Sequence, residues 1–138
     1  MPIRIVLADS HPLILAGLQY ILEREHDCHI VACCRGGEQT LQAVRQHGPD
    51  VLILDFRLPG KDGWSVLRDL AINGEVDAAH MLTPMPLAIT LGVGSRPVPF
   101  ALPLVQNVNG QAITLHIKHR GVRGPQDMKG FRIAVPFD

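Results

Sequence analysis

Apolar residues in the first part of the chain alternate between continuous runs and helical spacing. The run over 3–8 is rich in β-branched residues and is typical of a strand that is covered on both faces. Pro12 then opens a segment in which leucine and isoleucine recur at the spacing of an amphipathic helix. A strand over 29–34, a helix that ends at Gly48 and a strand over 50–55 follow in the same order. This alternation predicts a doubly wound α/β domain, with a mainly parallel five-stranded sheet and helices on both faces.

The second half of the chain has a different pattern. Residues 77–83 form an apolar run that predicts a fourth strand. The Asn-Gly pair within 107–110 lies between two apolar runs, which is a signal for a hairpin and makes 111–118 an added antiparallel strand. Residues 131–137 predict one further strand. We therefore expect an extra C-terminal strand or hairpin, and an exposed edge there would favour a homodimer.

Size and composition narrow the class of protein. The chain has 138 residues, of which 46% are hydrophobic, and this suits a single α/β domain over 1–138. A formal net charge of zero argues against a general nucleic-acid binder, and the basic stretch 118–123 is typical of a solvated turn.

Three clustered cysteines suit reduced, buried thiols in the cytoplasm. No leader or membrane span is expected, because no apolar run approaches about 20 residues.

Two aspartates follow predicted strands. Asp9 comes directly after the first strand, and Asp55 ends the third. If these two strands are neighbours, both carboxylates reach the same edge of the sheet, where α/β proteins bind ligands. Paired carboxylate oxygens suit Mg²⁺. The alternative is structural: Asp9 would cap the helix that Pro12 opens, and Asp55 would only begin a turn to which Gly60 and Gly63 give backbone freedom.

The stretches IRIVLADSHPLILAGL and PDVLILDFRLPGKDGWSVLRDL, with the spacing between them, resemble a response-regulator receiver domain over 3–70. The resemblance implies a flavodoxin-like fold and a phosphoacceptor role for Asp55. It also implies that Asp9 belongs to an acidic pocket and that the backbone carbonyl of Arg57 is a metal ligand for Mg²⁺. A histidine kinase or a small phosphodonor would be the partner.

Two departures from the receiver pattern predict impaired activity. The family has two consecutive acidic residues where this chain has Asp9 and then Ser10, so one negative charge is missing from the predicted Mg²⁺ site. Thr83 stands at a suitable distance from Asp55 for the switch hydroxyl. The lysine expected after the fifth strand is absent, since Lys118 is much too late in the chain.

The later stretches INGEVDAAHMLTPMPLAITLGVGS, LVQNVNGQAITLHIKHRG and DMKGFRIAVPFD resemble periplasmic substrate-binding proteins for nitrate and bicarbonate. This resemblance covers about 70–138, so the chain resembles two families joined near 64–72. In the resembled family the anion lies between two lobes, and the sequence ends where the second lobe would begin.

Two functions follow from these patterns. The first is a receiver-like phosphoacceptor module of two-component signal transduction, impaired and phosphorylated at Asp55. The alternative is a non-catalytic chimeric scaffold, which combines a receiver half (1–70) with a binding-protein half (71–138) and retains neither signalling nor anion transport. Both interpretations predict that the chain is not an enzyme.

Overall fold

The computed structural model describes residues 1–82, 89–93, 96–105, 111–116, 121–123 and 125–136. The chain groups into two compact units, of which the first contains Met1–Leu67 and the stretch from Ala134, and the second contains Arg68–Ile133. The expectation of a single domain, receiver-like over 1–70 and binding-protein-like over 71–138, stays a prediction. Among the helices of the described residues, none combines the length and the apolar character that crossing a membrane requires.

The first unit contains the predicted alternation of strands and helices. Its elements are β1 (Ile3–Ala8), α1 (Pro12–Leu22), β2 (Cys28–Cys34), α2 (Gly37–His47) and β3 (Val51–Leu54). Strand β1 pairs in parallel with both β2 and β3. The parallel α/β arrangement expected from the apolar runs is therefore confirmed for these strands.

The core of the first unit lies against β1, whose residues from Ile5 to Ala8 are all buried. Ile5 and Leu7 pack with Leu15 of α1. Further residues, only partly buried, cover this cluster from the helix and the neighbouring strands: Leu18, Leu22, Cys28, Ile30, Cys33, Val51 and Ile53. Alternate residues of the strand thus meet the apolar face of α1, which holds the carboxyl end of β1 in place.

The predicted helix boundaries of the first unit are observed. Helix α1 begins at Pro12. Proline lacks a backbone N–H, and in the first turn of a helix that N–H would have no carbonyl partner within the helix. Helix α2 ends at Gly48, which has the left-handed conformation (φ 53°) and donates its N–H to the carbonyl of Val44. A third helix, α3 (Gly63–Ile72), follows β3 and runs across the boundary between the units.

The second unit is built from antiparallel pairs. It contains β4 (Ala78–Leu82), β5 (Phe100–Val105), β6 (Gln111–His116) and a 3-10 helix (Pro125–Met128). Strand β6 pairs antiparallel with both β4 and β5, which confirms the predicted antiparallel strand. The turn proposed for 107–110 lies outside the described residues. The last strand, β7 (Ile133–Pro136), is also observed, and its residues from Ala134 belong to the first unit. The homodimer through a sheet edge stays a prediction.

An ion pair joins the start of β4 to the segment before β7. The guanidinium Nε of Arg132 lies 3.0 Å from Oδ2 of Asp77, and the backbone N–H of Arg132 donates to the same oxygen at 3.3 Å. The Arg132 carbonyl accepts in turn from the N–H groups of Asp77 and Ala78. Because Asp77 is 9% exposed, this charge needs such partners, and the contacts tie two distant parts of the second unit together.

Candidate functional site

Asp9 and Asp55 follow neighbouring parallel strands. Ala8 pairs with Leu54 at the carboxyl ends of β1 and β3, so the next residue of each strand reaches the same edge of the sheet. The N–H of Asp55 donates to the carbonyl of Ala8 at 2.8 Å. Both aspartates are 6% exposed. The strand pairing therefore brings two buried carboxylates together, in the way that the parallel order of the strands implies.

His11 is the third member of this group. Asp9, His11 and Asp55 each offer one ligand atom, and these three atoms all lie within 4.8 Å of one another. Oδ1 of Asp9 accepts a hydrogen bond from the backbone N–H of His11 at 2.7 Å and lies 3.2 Å from the ring Nδ1. The site therefore offers two carboxylates and one imidazole.

The two oxygens of Asp55 have different surroundings. Oδ1 accepts a hydrogen bond from the backbone N–H of Arg57 at 3.1 Å. Oδ2 is buried, and no described residue forms a hydrogen bond with it. Burial of a carboxylate oxygen without a hydrogen-bond partner lowers the free energy of unfolding, and repulsion by a second carboxylate lowers it further. A cation at this edge of the sheet would replace the lost hydration and neutralise the repulsion. The residues present therefore fit a divalent metal ion.

The loop after β3 needs a glycine at the start of α3. A Cβ added to Gly63 would lie 2.2 Å from the carbonyl oxygen of Asp55, a separation that no side chain tolerates. The N–H of Gly63 donates to the carbonyl of Phe56 at 3.0 Å. Gly63 was expected to supply backbone freedom, which the positive φ of Gly60 (78°) does require. Gly63 instead allows the helix to start directly against the backbone of Asp55.

The other side of the loop packs on the start of α2. A Cβ on Gly37 would lie 1.9 Å from the carbonyl oxygen of Lys61, and the N–H of Gly37 donates to the carbonyl of Pro59 at 3.3 Å. The ammonium of Lys61 lies 3.4 Å from a carboxylate oxygen of Glu38. The loop that follows Asp55 is thus held on two sides by backbone contacts.

Asp62 caps α3 within this loop. Its carboxylate accepts hydrogen bonds from the backbone N–H and the hydroxyl of Ser65, each at 2.9 Å. The backbone hydrogen bond from Ser65 is the main cause that lowers the pKa of Asp62 below its usual value of 3.8. Its ionised form therefore stabilises the first turn of the helix.

Ser10 is one of the two expected departures from the receiver pattern, and the missing lysine is the other. The hydroxyl of Ser10 lies 3.2 Å from Nδ1 of His11, so it contacts the imidazole where the receiver pattern would have a second acidic residue. Thr83 and Lys118 lie outside the described residues. The backbone carbonyl of Arg57 stays a predicted ligand, and the structure describes its N–H on Asp55.

Sequence reasoning missed His11. Its position in the sequence could have pointed to it: His11 stands two residues after Asp9 and directly before Pro12, where the first helix begins. It is the N-cap residue of α1, and its side chain forms no capping hydrogen bond. Asp9, which was considered as a cap, instead binds the backbone N–H of His11, so the expected capping position is shifted by two residues.

The chain has three cysteines, all of them on β2. Cys28, Cys33 and Cys34 are all free, and Cys34 is buried. Burial is the largest cause that raises the pKa of the Cys33 and Cys34 thiols. The thiols of Cys33 and Cys34 therefore stay protonated at neutral pH, which makes them poor nucleophiles.

The comparison with family models identifies the chain. The fold and the buried carboxylates define an α/β protein with an acidic site at the carboxyl edge of a parallel sheet. The model of the NMT1-like family matches residues 24–138, so the chain belongs to the NMT1-like family. This match supports the resemblance of the later segment to substrate-binding proteins.

Known proteins are also similar to the first half of the chain. A protein-glutamate methylesterase/protein-glutamine glutaminase from Nitratidesulfovibrio vulgaris is 38% identical over 71 residues, which are 51% of this chain and 19% of that protein. The oxygen regulatory protein NreC from Staphylococcus epidermidis is 41% identical over 61 residues, which are 44% of this chain and 28% of that protein. The chain thus spans less than a third of the length of these two relatives.

A solved structure supports the fold. The signal receiver domain of the response regulator NarL from Mycobacterium tuberculosis superposes with a TM-score of 0.52 and 32% identity, over 53% of this chain and 59% of that domain. The flavodoxin-like α/β fold is therefore confirmed, and the resemblance of the first half to receiver domains is supported.

The expectation that the chain is not an enzyme is contradicted. The relative from N. vulgaris carries the name of an enzyme, a methylesterase and glutaminase. Its similarity is confined to 71 residues, and the expectation failed because a receiver-type segment says nothing about the chemistry of the rest of a protein.

Proposed function

We propose that the chain is a receiver-like phosphoacceptor module of two-component signalling and that Asp55 takes the phosphoryl group. The observation that carries the proposal is that Oδ2 of Asp55 is buried and has no hydrogen-bond partner among the described residues, in a residue that lies beside Asp9. A carboxylate oxygen that is not engaged in a hydrogen bond keeps its electron pairs for a nucleophilic attack. The relatives named as regulatory proteins support the proposal.

The reaction is a transfer of one phosphoryl group. A carboxylate oxygen of Asp55 forms a bond to phosphorus while the bond from phosphorus to the donor's leaving group breaks, and the product is an acyl phosphate. With acetyl phosphate as the donor, acetate leaves. With a histidine kinase, the phosphorylated imidazole of the kinase is the donor. The hydrogen bond from the Arg57 N–H to Oδ1 orients the carboxylate during the attack.

Asp9, Asp55 and the backbone carbonyl of Arg57 would hold Mg²⁺ in this proposal. When bound, Mg²⁺ supplies positive charge that reduces the repulsion between the Asp55 carboxylate and the incoming phosphate oxygens. Asp9 contributes the second carboxylate, and its burial limits competition by water.

Phosphorylation at this site is proposed to be impaired. Ser10 offers a neutral hydroxyl where a carboxylate would add charge, which lowers the affinity for a divalent cation. The lysine that would contact the phosphoryl group is absent from the expected position, and Thr83 would be the switch hydroxyl. The proposed consequence is slow phosphorylation and a weak response to it.

The test is a phosphotransfer assay followed by mass spectrometry. The full chain is incubated with acetyl phosphate and Mg²⁺, and we expect the mass of one phosphoryl group to be added. Asp55→Asn should add none. Asp27→Asn is the matched control, because it makes the same chemical change at an exposed loop residue and should leave the adduct unchanged.

Two results would contradict the proposal. One is the absence of any adduct at high concentrations of Mg²⁺ and acetyl phosphate, which would favour the alternative of a chimeric scaffold without retained signalling. The other is an adduct that persists in Asp55→Asn, which would place the phosphoryl group on another residue.

A further inference from the structure

We propose that His11 is a metal ligand and that it makes the acidic site prefer a first-row transition-metal dication over Mg²⁺. The inference deepens the proposed function, since it concerns the metal that Asp9 and Asp55 would hold. It assigns a chemical role to a residue that neither the sequence patterns nor the relatives point to. The class of ligand is a divalent ion that accepts mixed nitrogen and oxygen coordination.

The geometry of the three side chains suits one ion. A ring nitrogen of His11 and one oxygen from each of Asp9 and Asp55 lie within 4.8 Å of one another. Bonds of about 2.1 Å require ligand atoms within about 4.2 Å of one another. The separations lie close to that limit, and the His11 side chain, which is 61% exposed, has room to adjust.

A second observation points to a cation at this place. Asp55 is 6% exposed, and its Oδ2 has no hydrogen-bond partner among the described residues. Proteins rarely leave a buried carboxylate oxygen without a partner, since the loss of hydration is costly. The neighbouring Asp9 carboxylate increases that cost. A dication satisfies both carboxylates, whereas a water molecule would leave the two negative charges uncompensated.

The composition of the site decides which dication binds best. Mg²⁺ prefers oxygen ligands and binds imidazole weakly. Ser10 provides a neutral hydroxyl, so the site has only two carboxylates for a hard cation. Co²⁺ and Ni²⁺ gain strongly from an imidazole ligand, and for such sites they stand above Mn²⁺ in the usual order of affinity. Replacing a carboxylate with a hydroxyl beside a histidine therefore shifts the preference away from Mg²⁺.

The imidazole is already oriented by its neighbours. Its Nδ1 lies 3.2 Å from Oδ1 of Asp9 and 3.2 Å from the hydroxyl of Ser10. These contacts hold the ring beside the two carboxylates. Ser10, which weakens the site for Mg²⁺, thus helps to position the nitrogen ligand.

The test compares two metals in three proteins. Co²⁺ and Mg²⁺ are titrated separately by calorimetry into the full chain, into His11→Ala and into His26→Ala. We expect His11→Ala to lower the affinity for Co²⁺ by about tenfold or more and the affinity for Mg²⁺ by less than about twofold. His26→Ala is the control, since it removes an exposed imidazole from another loop and should change neither affinity.

Several outcomes would overturn the inference. One is an unchanged affinity of His11→Ala for Co²⁺. A second is a loss in His26→Ala as large as that in His11→Ala, which would place the ion near 26–29. A third is a thiolate charge-transfer band in the near-ultraviolet spectrum of the Co²⁺ complex, which would assign the ion to the cysteines. If Asp55 is labelled by acetyl phosphate with Mg²⁺ while any of these is seen, the inference about His11 fails and the proposed function stands.

Discussion

At Asp55 a single side chain combines two different environments. Oδ1 is held by the backbone N–H of Arg57, which fixes the orientation of the carboxylate. Oδ2 has no hydrogen-bond partner among the described residues, although it is buried. Stability alone would favour a partner for both oxygens. A ligand that contacts Oδ2 would supply the missing partner.

Ser10 provides a direct test of the charge of the site. Ser10→Asp places a third carboxylate beside Asp9, and we expect it to raise the affinity for Mg²⁺ by about tenfold, because the affinity of an oxygen site for a divalent cation rises with its negative charge. Calorimetric titration with Mg²⁺ measures the change. Ser65→Asp is unsuitable as a control because Ser65 binds Asp62, whereas Gln42→Asp adds the same charge on the exposed face of α2.

An unchanged or lower affinity for Mg²⁺ in Ser10→Asp would show that the hydroxyl of Ser10 is not beside the metal. The same variant should also reduce the preference for Co²⁺, since the added oxygen ligand favours the harder cation.

The approach of α3 to the loop after β3 is the main structural constraint at the scale of elements. Gly63 allows the helix to begin against the backbone of Asp55, where a Cβ would overlap the carbonyl oxygen. At the start of α2, Gly37 likewise lies so close to the backbone of Lys61 that a Cβ would overlap it. Two helices thus fix the loop that carries Arg57, and this loop orients the carboxylate.

Gly63→Ala should therefore be strongly destabilising. The added methyl group must displace the backbone of Asp55, and we expect the free energy of unfolding to fall by about 2 kcal/mol or more, as overpacking against rigid backbone does. Urea unfolding followed by circular dichroism measures the change. Gly17→Ala is the control, because a Cβ at Gly17 meets nothing within 4 Å in α1. It should stabilise the protein by about 0.5–1 kcal/mol.

Equal stabilities of the Gly63→Ala and Gly17→Ala proteins would contradict the close contact between α3 and Asp55.

The cap of α3 predicts a pH dependence. Hydrogen bonds from Ser65 lower the pKa of Asp62 in the folded state below its usual value of 3.8. The stabilisation is therefore fully present above that value and is lost as the pH falls through the lowered pKa of the folded state. Asp62→Ala should destabilise the protein by about 1 kcal/mol at neutral pH, which is typical for the loss of a helix cap.

The measurement is urea unfolding of the full chain and of Asp62→Ala at neutral pH and at the lowest pH where both stay folded. The difference in stability between the two proteins should shrink in acid. A difference that stays constant, or grows as the pH falls, would show that the ionised carboxylate does not stabilise α3. Asp27→Ala serves as the control for removing an exposed carboxylate.

At the scale of the whole molecule, the proposed metal site predicts an effect on stability. Asp55→Asn removes a buried negative charge next to Asp9, and we expect it to raise the free energy of unfolding by about 1 kcal/mol without metal. The variant also removes a metal ligand, so Mg²⁺ should stabilise it less than the original protein. Thermal unfolding of both proteins with and without Mg²⁺ measures the two effects, and Asp27→Asn controls for the change of net charge.

A lower stability of Asp55→Asn in the absence of metal would show that the carboxylate is satisfied in the native state. An equal stabilisation of both proteins by Mg²⁺ would place the ion elsewhere.

The two units of the chain differ in how far the sequence predicted them. In the first unit, continuous apolar runs, Pro12 and Gly48 mark the strands and helices, because these signals are local and each is confirmed by the structure. In the second unit, no local signal in the sequence predicted that β6 would pair with β4 as well as with β5. Both pairings are antiparallel. An apolar run indicates burial and does not reveal which neighbour a strand will have.

The sequence by itself determined the α/β order of the first unit, the helix ends, and the positions of Asp9 and Asp55 at the ends of strands, because these depend on residue type and short spacing. Only the tertiary structure decided that the two strands are neighbours. It also decided that His11 joins the two carboxylates, that Oδ2 of Asp55 is left without a partner among the described residues, and that Gly63 lies against the backbone of Asp55. These properties depend on how β1, β3 and the loops after them pack together, and short patterns in the sequence do not encode that packing.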